Sequence, residues 1–326
     1  MKLRLFSHRF FWVFSLPLIF WISCQKNNPV FSLEALPSPV NTRIHKLTYL
    51  TKDTVFICGG AKNKSGFIYR SVNGGKNWTE VYRSDQKSLY DIFFLNDTTA
   101  FCTGDKLLLL RSRNNGAQWD EVIYDFIPEH FNYLPIRCIF GDEKLLMFAG
   151  GENYDNGAVM WMVNGQLKWV WHFDNEFRTG LPFSHLNYHL LGFGTGYKTT
   201  DMGFHYTPTS FKDDFITGSA LINASTAFIC GYDGGIYKTD DAGKSWQTML
   251  KPNSLIKKRI HFNTILFKGN TGYAAGNNGL LMKSINGSDW KKVQVNTSSD
   301  ILSMTENPEG NIILTTSSGE ILILKI

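Results

Sequence analysis

Thr239-Asp-Asp241-Ala-Gly243-Lys-Ser-Trp246 is the stretch on which the reading of this chain turns. It places a hydroxyl, a carboxylate, a glycine and a tryptophan within eight residues. Three other segments follow the same rule: Ser71-Val-Asn73-Gly-Gly75-Lys-Asn-Trp78, Ser112-Arg-Asn114-Asn-Gly116-Ala-Gln-Trp119 and Thr199-Thr-Asp201-Met-Gly203-Phe-His-Tyr206. A fifth, Ser284-Ile-Asn286-Gly287-Ser-Asp-Trp290, is one residue shorter, and a sixth survives only as Asn164, Gly165 and Trp169. The aromatic ends are spaced by 41, 50, 37, 40 and 44 residues, the length of a four-stranded propeller blade.

Each position has a physical task. Asp or Asn accepts bonds from backbone N–H groups just downstream and closes a turn. Gly supplies a positive φ that other residues resist. The hydroxyl ties the hairpin to its own backbone, and the aromatic residue opens the next strand and buries its ring between blades. These residues are therefore expected to build the fold, not to catalyse or to hold calcium. Between the boxes lie short apolar runs punctuated by glycine, such as Thr54–Gly60 and Ala227–Gly231, which read as strands.

The pattern resembles the Asp-box, or BNR repeat, of sialidases, sortilin-type receptors and photosystem II assembly-factor-like propellers. The expectation is an all-β chain forming a single β-propeller of about seven four-stranded blades over residues 31–326. Six or eight blades stay open, because 124–136 and 172–190 are irregular. Three strands follow Trp290 without a box, so the fourth is expected from Phe31-Ser-Leu-Glu-Ala-Leu at the other end of the chain. That N-terminal strand would complete the last blade and remove an open sheet edge.

Upstream, Lys2, Arg4 and Arg9 precede an uncharged apolar run, Phe10–Ile22. The run is short for a membrane span and reads as a secretory signal. It ends Trp21-Ile22-Ser23-Cys24, which resembles a bacterial lipobox with Trp where Leu is usual. This implies a signal peptide at 1–23, lipidation at Cys24, a tether at 24–30, and location in the bacterial cell envelope, at the outer membrane. Without its leader the chain carries 30 Lys+Arg against 28 Asp+Glu, so nothing calls for nucleic acid. Cys58, Cys102 and Cys230 fall just before the small residue ending a second strand, with Ala149 and Ala275 at that place elsewhere. Equivalent positions on different blades lie apart, so free, buried thiols are expected, Cys138 included.

Counting back from those small sites reaches the start of each inner strand. Cations stand near it at Arg43, Lys87, Arg137, Arg178 and Arg259, with Asp214 in the blade of Cys230. A ring of cations around one mouth would focus field on an anionic partner; separate solvated loop charges are the plainer alternative. Four longer segments, 124–135, 150–157, 181–189 and 207–216, are assigned to the same face. They carry exposed aromatic and polar groups suited to a protein or glycan. No nucleophile elbow, metal spacing or phosphate loop is present, and no cofactor is expected. The competing reading is a sialidase-like glycoside hydrolase. Such enzymes open with Arg-Ile-Pro, whereas Arg43-Ile44 is followed here by His45, and no Tyr–Glu pair is assignable. Resemblance to the photosystem II assembly-factor-like propellers instead implies a non-catalytic, monomeric, membrane-anchored module that binds an envelope protein or glycan.

Overall fold

The computed structural model describes residues 30–31, 33–123, 133–253 and 260–325; the side chains of 30–31, 169–170 and 210–213 are not described. Cys24 and Arg259 lie outside the described residues. Among the described residues, every regular element apart from one short 3-10 turn at Asn277–Gly279 is a strand.

The described residues form seven four-stranded blades around a central channel. Blade 1 runs Ile44–Tyr49, Val55–Ala61, Ser65–Ser71 and Thr79–Ser84, each strand antiparallel to the last. Blades 2 and 3 repeat this from Leu89–Phe94 and from Ile136–Gly141. The next two blades share one continuous sheet. Within it Tyr188–Gly192 pairs back to Phe177–Pro182, while Thr195–Lys198 pairs forward with 207–210. The switch falls at Gly194, whose φ is +66°. The long strand Thr207–Leu221 likewise ends blade 4 and then, from Ile216, opens blade 5. Blade 6 starts at Phe262–Lys268 and blade 7 at Ile301–Glu306. The seven inner strands touch in cyclic order, and the last meets the first.

Seven apolar clusters fill the seven spaces between neighbouring blades. Phe56, Cys58, Ile92 and Leu110 lie between blades 1 and 2, for example, and Ile44, Ile57, Ile313 and Ile323 between 7 and 1. Alternate residues of one strand serve opposite clusters, as the two-residue period of a strand requires. Ile57 faces blade 7 and Cys58 faces blade 2.

The clasp forms, shifted from its expected register. Glu34–Leu36 pairs antiparallel with Ile321–Ile323 and completes blade 7. Val30–Phe31 instead adds in parallel to Gln294–Val295 at the edge of blade 6. Leu33, not Phe31, therefore stands where Trp78 stands in blade 1, immediately before the outer strand. Leu33 is buried, and Asn296 binds both its N–H and its carbonyl.

Two further expectations change. Asn164-Gly165 is a tight two-residue turn joining Asn156–Val163 to Gln166–Phe173, with φ of +48° and +77°. A hairpin of this kind needs no box, so Trp169 lies within the outer strand instead of opening it. The cysteine register also slips. Cys58 and Cys230 share one place, opposite Lys46 and Gly218, but Thr103 occupies that place in blade 2 and Cys102 comes one residue earlier. A one-residue shift turns a side chain to the other face. Cys102 thus points back into the layer that holds Cys58, and burial followed by the Cys58 thiol pushes its own thiol up. All four described cysteines are free and buried.

Candidate functional site: the mouth of the central channel

The boxes lie on one face of the ring and repeat one set of bonds. Ser71 Oγ accepts the Gly75 N–H at 2.9 Å and donates to Asn73 Oδ1, which accepts the Asn77 N–H at 2.9 Å. Ser112–Asn114, Thr199–Asp201 and Thr239–Asp241 do the same. Asn286 accepts from Ser288 and Asp289 instead, because its box is shorter. Gly116 shows why glycine is required: its φ is +72°, and a Cβ there would lie 2.5 Å from the Phe56 ring of the preceding blade. Trp119 and Trp290 are buried, each indole donating to a box carbonyl at 3.0 Å, while Trp78, Tyr206 and Trp246 are half-buried. The boxes are therefore scaffold.

The opposite face is built from a second repeat. An N–H at or just beyond the end of each second-strand pairing binds the carbonyl where the inner-strand pairing begins: Gly60 to Arg43, Asp105 to Ser88, Gly151 to Pro135, Phe193 to Glu176, Tyr232 to Phe215, Asn277 to His261 and Ser317 to Asp300, all at 2.7–3.0 Å. Each inner strand then bulges one residue later, at Ile44/Lys46 and its six equivalents. A bulge re-aims side chains. Here it turns the residue two beyond the bonded carbonyl into the channel. Those seven residues are His45, Tyr90, Arg137, Arg178, Thr217, Asn263 and Leu302, and all line one cavity of about 250 Å³.

This register decides which cations reach the mouth. Arg137 and Arg178 stand there side by side on blades 3 and 4. Arg43 supplies the bonded carbonyl, so its side chain falls two residues short and is exposed. Lys87 lies further back and pairs with Glu121 at 3.1 Å, away from the cavity. The expected five-membered ring is thus an arginine pair among the described residues. Asp214 is not a channel acid: it is buried and accepts the N–H groups of Asp233 and Gly235 at 2.7 and 2.8 Å, and burial raises its carboxyl to about 6. Segment 181–189 belongs to the box face, where Asn187 donates to the Ala242 carbonyl, and residues 124–132 lie outside the described residues.

Glu176, unremarked in the sequence, organises the pair. Its side chain is 2% exposed, contacts Arg178, and lies 3.4 Å from Arg137 Nε. The Tyr154 N–H binds its second oxygen at 3.1 Å. One carboxylate facing two guanidinium groups leaves an excess of positive charge. Arg137 also donates to the Gly151 carbonyl at 3.1 Å and covers the Tyr90 ring at 4.6 Å, which fixes its plane. Burial, then the Arg137 charge, brings the Arg178 guanidinium down to about 10, still protonated at neutral pH. The neighbouring His45 is held neutral: burial first, then Arg43, Arg137 and Arg178, bring it down to about 3. Tyr90 donates to Asp105 Oδ1 at 2.7 Å, and burial pushes its phenol up. Below this layer, Asp91 lies 3.6 Å from Lys46 and accepts the N–H groups of Ile92 and Ile139. Among the described residues, no cluster of His, Cys, Asp or Glu has a metal-holding arrangement.

Tyr90, Thr217, Asn263 and Glu176 escaped the sequence reading. The signal that finds them is the residue at which the second strand ends, counted through the bulge. An uncounted bulge displaces the register.

Residues 210–323, from the end of blade 4 through blade 7, match the family described as "Photosynthesis system II assembly factor YCF48". A curated relative, the photosystem II stability/assembly factor HCF136 (chloroplastic) of Guillardia theta, is 45% identical over 62 residues. That match covers 18% of this chain and 14% of the relative. Among solved structures, YCF48 bound to a D1 peptide superposes with a TM-score of 0.67 at 14% identity, over 90% of this chain and 95% of that one. YCF48 from Cyanidioschyzon merolae gives 0.66 at 14% identity, over 90% and 98%. The WD40 propeller domain of Doa1 gives 0.69 at 12% identity, over 92% and 97%. Blades 5 to 7 of this chain therefore carry a YCF48-like sequence, and the ring as a whole is a β-propeller resembling YCF48.

Proposed function

We propose that this protein is a non-catalytic binding module that takes an acidic segment of a protein partner at the channel mouth. It is tethered by lipid at Cys24 to the bacterial outer membrane. The observation that carries the reading is the arginine pair: Arg137 and Arg178 converge on one mouth with a single buried carboxylate between them. Preorganised guanidinium groups recognise carboxylates by paired, charge-assisted bonds. Binding of a D1 peptide by YCF48, a propeller of the same fold, supports a peptide as the class of ligand. A hydrolase is disfavoured by the state of the tyrosine that lines the channel cavity: Tyr90 is hydrogen-bonded to Asp105 with its phenol pushed up, the reverse of an activated nucleophile.

The test is a triple variant, Arg137→Gln, Glu176→Gln and Arg178→Gln, which removes both cations together with their counter-charge and so leaves no buried ion unpaired. Binding of acidic peptides on an array should fall at least tenfold with little change in melting temperature. Equal binding by wild type and variant sinks the reading, and turnover of a fluorogenic sialoside would favour the hydrolase. The anchor is tested separately: Cys24→Ser should move the protein from the membrane fraction to the soluble fraction. Continued pelleting with membranes would exclude lipidation at that residue.

A further inference from the structure

Beside the arginine pair the mouth carries a row of aromatic rings that the scaffold does not bury. Tyr154, in the hairpin between second and third strands of blade 3, is 56% exposed. Phe193, at the equivalent hairpin of blade 4, is 42% exposed, and Tyr232, in that of blade 5, is 40% exposed. Phe215, before the inner strand of blade 5, lies beneath them. The ring centroids follow one another closely: Tyr154–Phe193 at 4.8 Å, Phe193–Phe215 at 5.6 Å, Phe215–Tyr232 at 6.4 Å and Tyr232–His261 at 4.0 Å. The row thus runs over blades 3 to 6 without a gap. It joins the charged centre at two points: the Arg178 guanidinium lies 5.3 Å over the Phe215 ring, and the Tyr154 N–H binds Glu176.

Large exposed aromatic groups are costly to leave in water and mark contact surfaces. We propose that this row is a docking rail for bulky apolar side chains of the same polypeptide whose acidic group reaches Arg178. The proposal rests on the peptide-binding reading above and adds the apolar half of its recognition motif. Two observations select a polypeptide over a glycan. The rings are tilted to each other, by 47°, 89°, 45° and 31° along the row, so they offer notches between edges instead of the flat plate on which a sugar ring stacks. The Arg178 guanidinium lies over one ring of the row, which fits a chain with an acidic residue flanked by apolar ones. Aromatic anchors of this type dominate binding when the partner side chain fills the space between them.

The rail is tested with the full chain on an array of random dodecapeptides, comparing wild type with the double variant Tyr154→Asn, Tyr232→Ser. Asn suits position 154, where φ is +71°. Wild type should enrich peptides that combine Asp or Glu with at least two bulky apolar residues. The double variant should keep the acidic preference and lose the apolar one, with at least a tenfold weaker signal for the best peptides and an unchanged melting temperature. Enrichment of acidic residues alone by wild type, or apolar enrichment that survives the double variant, overturns the rail while leaving the arginine pair standing. Apolar enrichment without any acidic preference would support the rail and refute the arginine pair. No enrichment, or binding of acidic oligosaccharides lost in the double variant, refutes the rail outright.

Discussion

The two faces of the ring are built from the same strands and obey opposite rules. On the box face, four blades carry the same hydroxyl, acidic or amide residue and glycine, linked by bonds that agree within a few tenths of an ångström. On the mouth face the backbone repeats just as strictly, with seven equivalent N–H to carbonyl bonds and seven bulges. The side chains that this backbone presents there vary, with arginine alone occurring twice: His45, Tyr90, Arg137, Arg178, Thr217, Asn263 and Leu302. A repeated side chain is answering a need that every blade shares, which is closure of its own hairpin. A varied side chain on a repeated backbone answers no such need. Its identity is free to serve a ligand.

Substitutions should divide along the same line. The largest effect is expected on the box face from Gly116→Val, which forces a branched side chain into a positive φ and against the Phe56 ring. A loss of roughly 3–5 kcal/mol is expected; urea midpoints matching wild type would show that the box glycine is replaceable. The next effect depends on pH and comes from His189. Every other blade has an apolar residue at its place (Phe56, Phe101, Met147, Phe228, Tyr273, Ile313), opposite the same inner-strand position. His189 is fully buried, and burial with Lys198 brings it down to about 4. The unfolded chain, titrating near 6.5, then binds the proton that the folded chain refuses. Stability should be unaffected above pH 6.5 and should fall below it, by up to about 1.4 kcal/mol per pH unit from this residue. His45 contributes in the same direction from the mouth side. Asp214, held up to about 6, opposes the two histidines in this window, so His189→Phe should remove well over half of the net slope between pH 6.5 and 5; an unaltered slope would mean that the buried imidazole is not the sensor.

Smaller still is Ser71→Ala, which leaves the Gly75 N–H without its acceptor in a buried hairpin and should cost about 1–2 kcal/mol. At the bottom of the range stands Arg43→Gln on the mouth face. Its exposed side chain should contribute less than about 0.5 kcal/mol to stability. It should nonetheless raise the His45 pKa measurably by NMR titration, while burial keeps that value below 6.5. A stability loss at Arg43 equal to that at Ser71 would erase the distinction between the two faces.

Much of this contrast was legible beforehand, and its limits have a physical cause. The box is a local device: each bond spans two to four residues, so composition and spacing carry it fully. Blade length and the clasp follow, because a strand pattern without a box needs a fourth partner from elsewhere. The mouth register was lost by one to three residues at Arg43, Lys87 and Cys102, because a bulge inserts a residue without any composition signal. Glu176 and Asp105 were invisible for another reason. Beside the nearer Arg178 and Tyr90, their partners Arg137 and Tyr154 for the first and Asn63 and Ser88 for the second lie 17 to 42 residues away and meet them only when hairpins or blades stack.

The amino-acid sequence alone determined that this chain is a ring of hairpin-built blades, since hydrogen bonds within eight residues define each unit and apolar alternation forces the units to stack. Only the tertiary structure decided which charges share the mouth and which rings stay uncovered. Those are relations between blades, set by a bulge register and by ring closure that no single blade encodes.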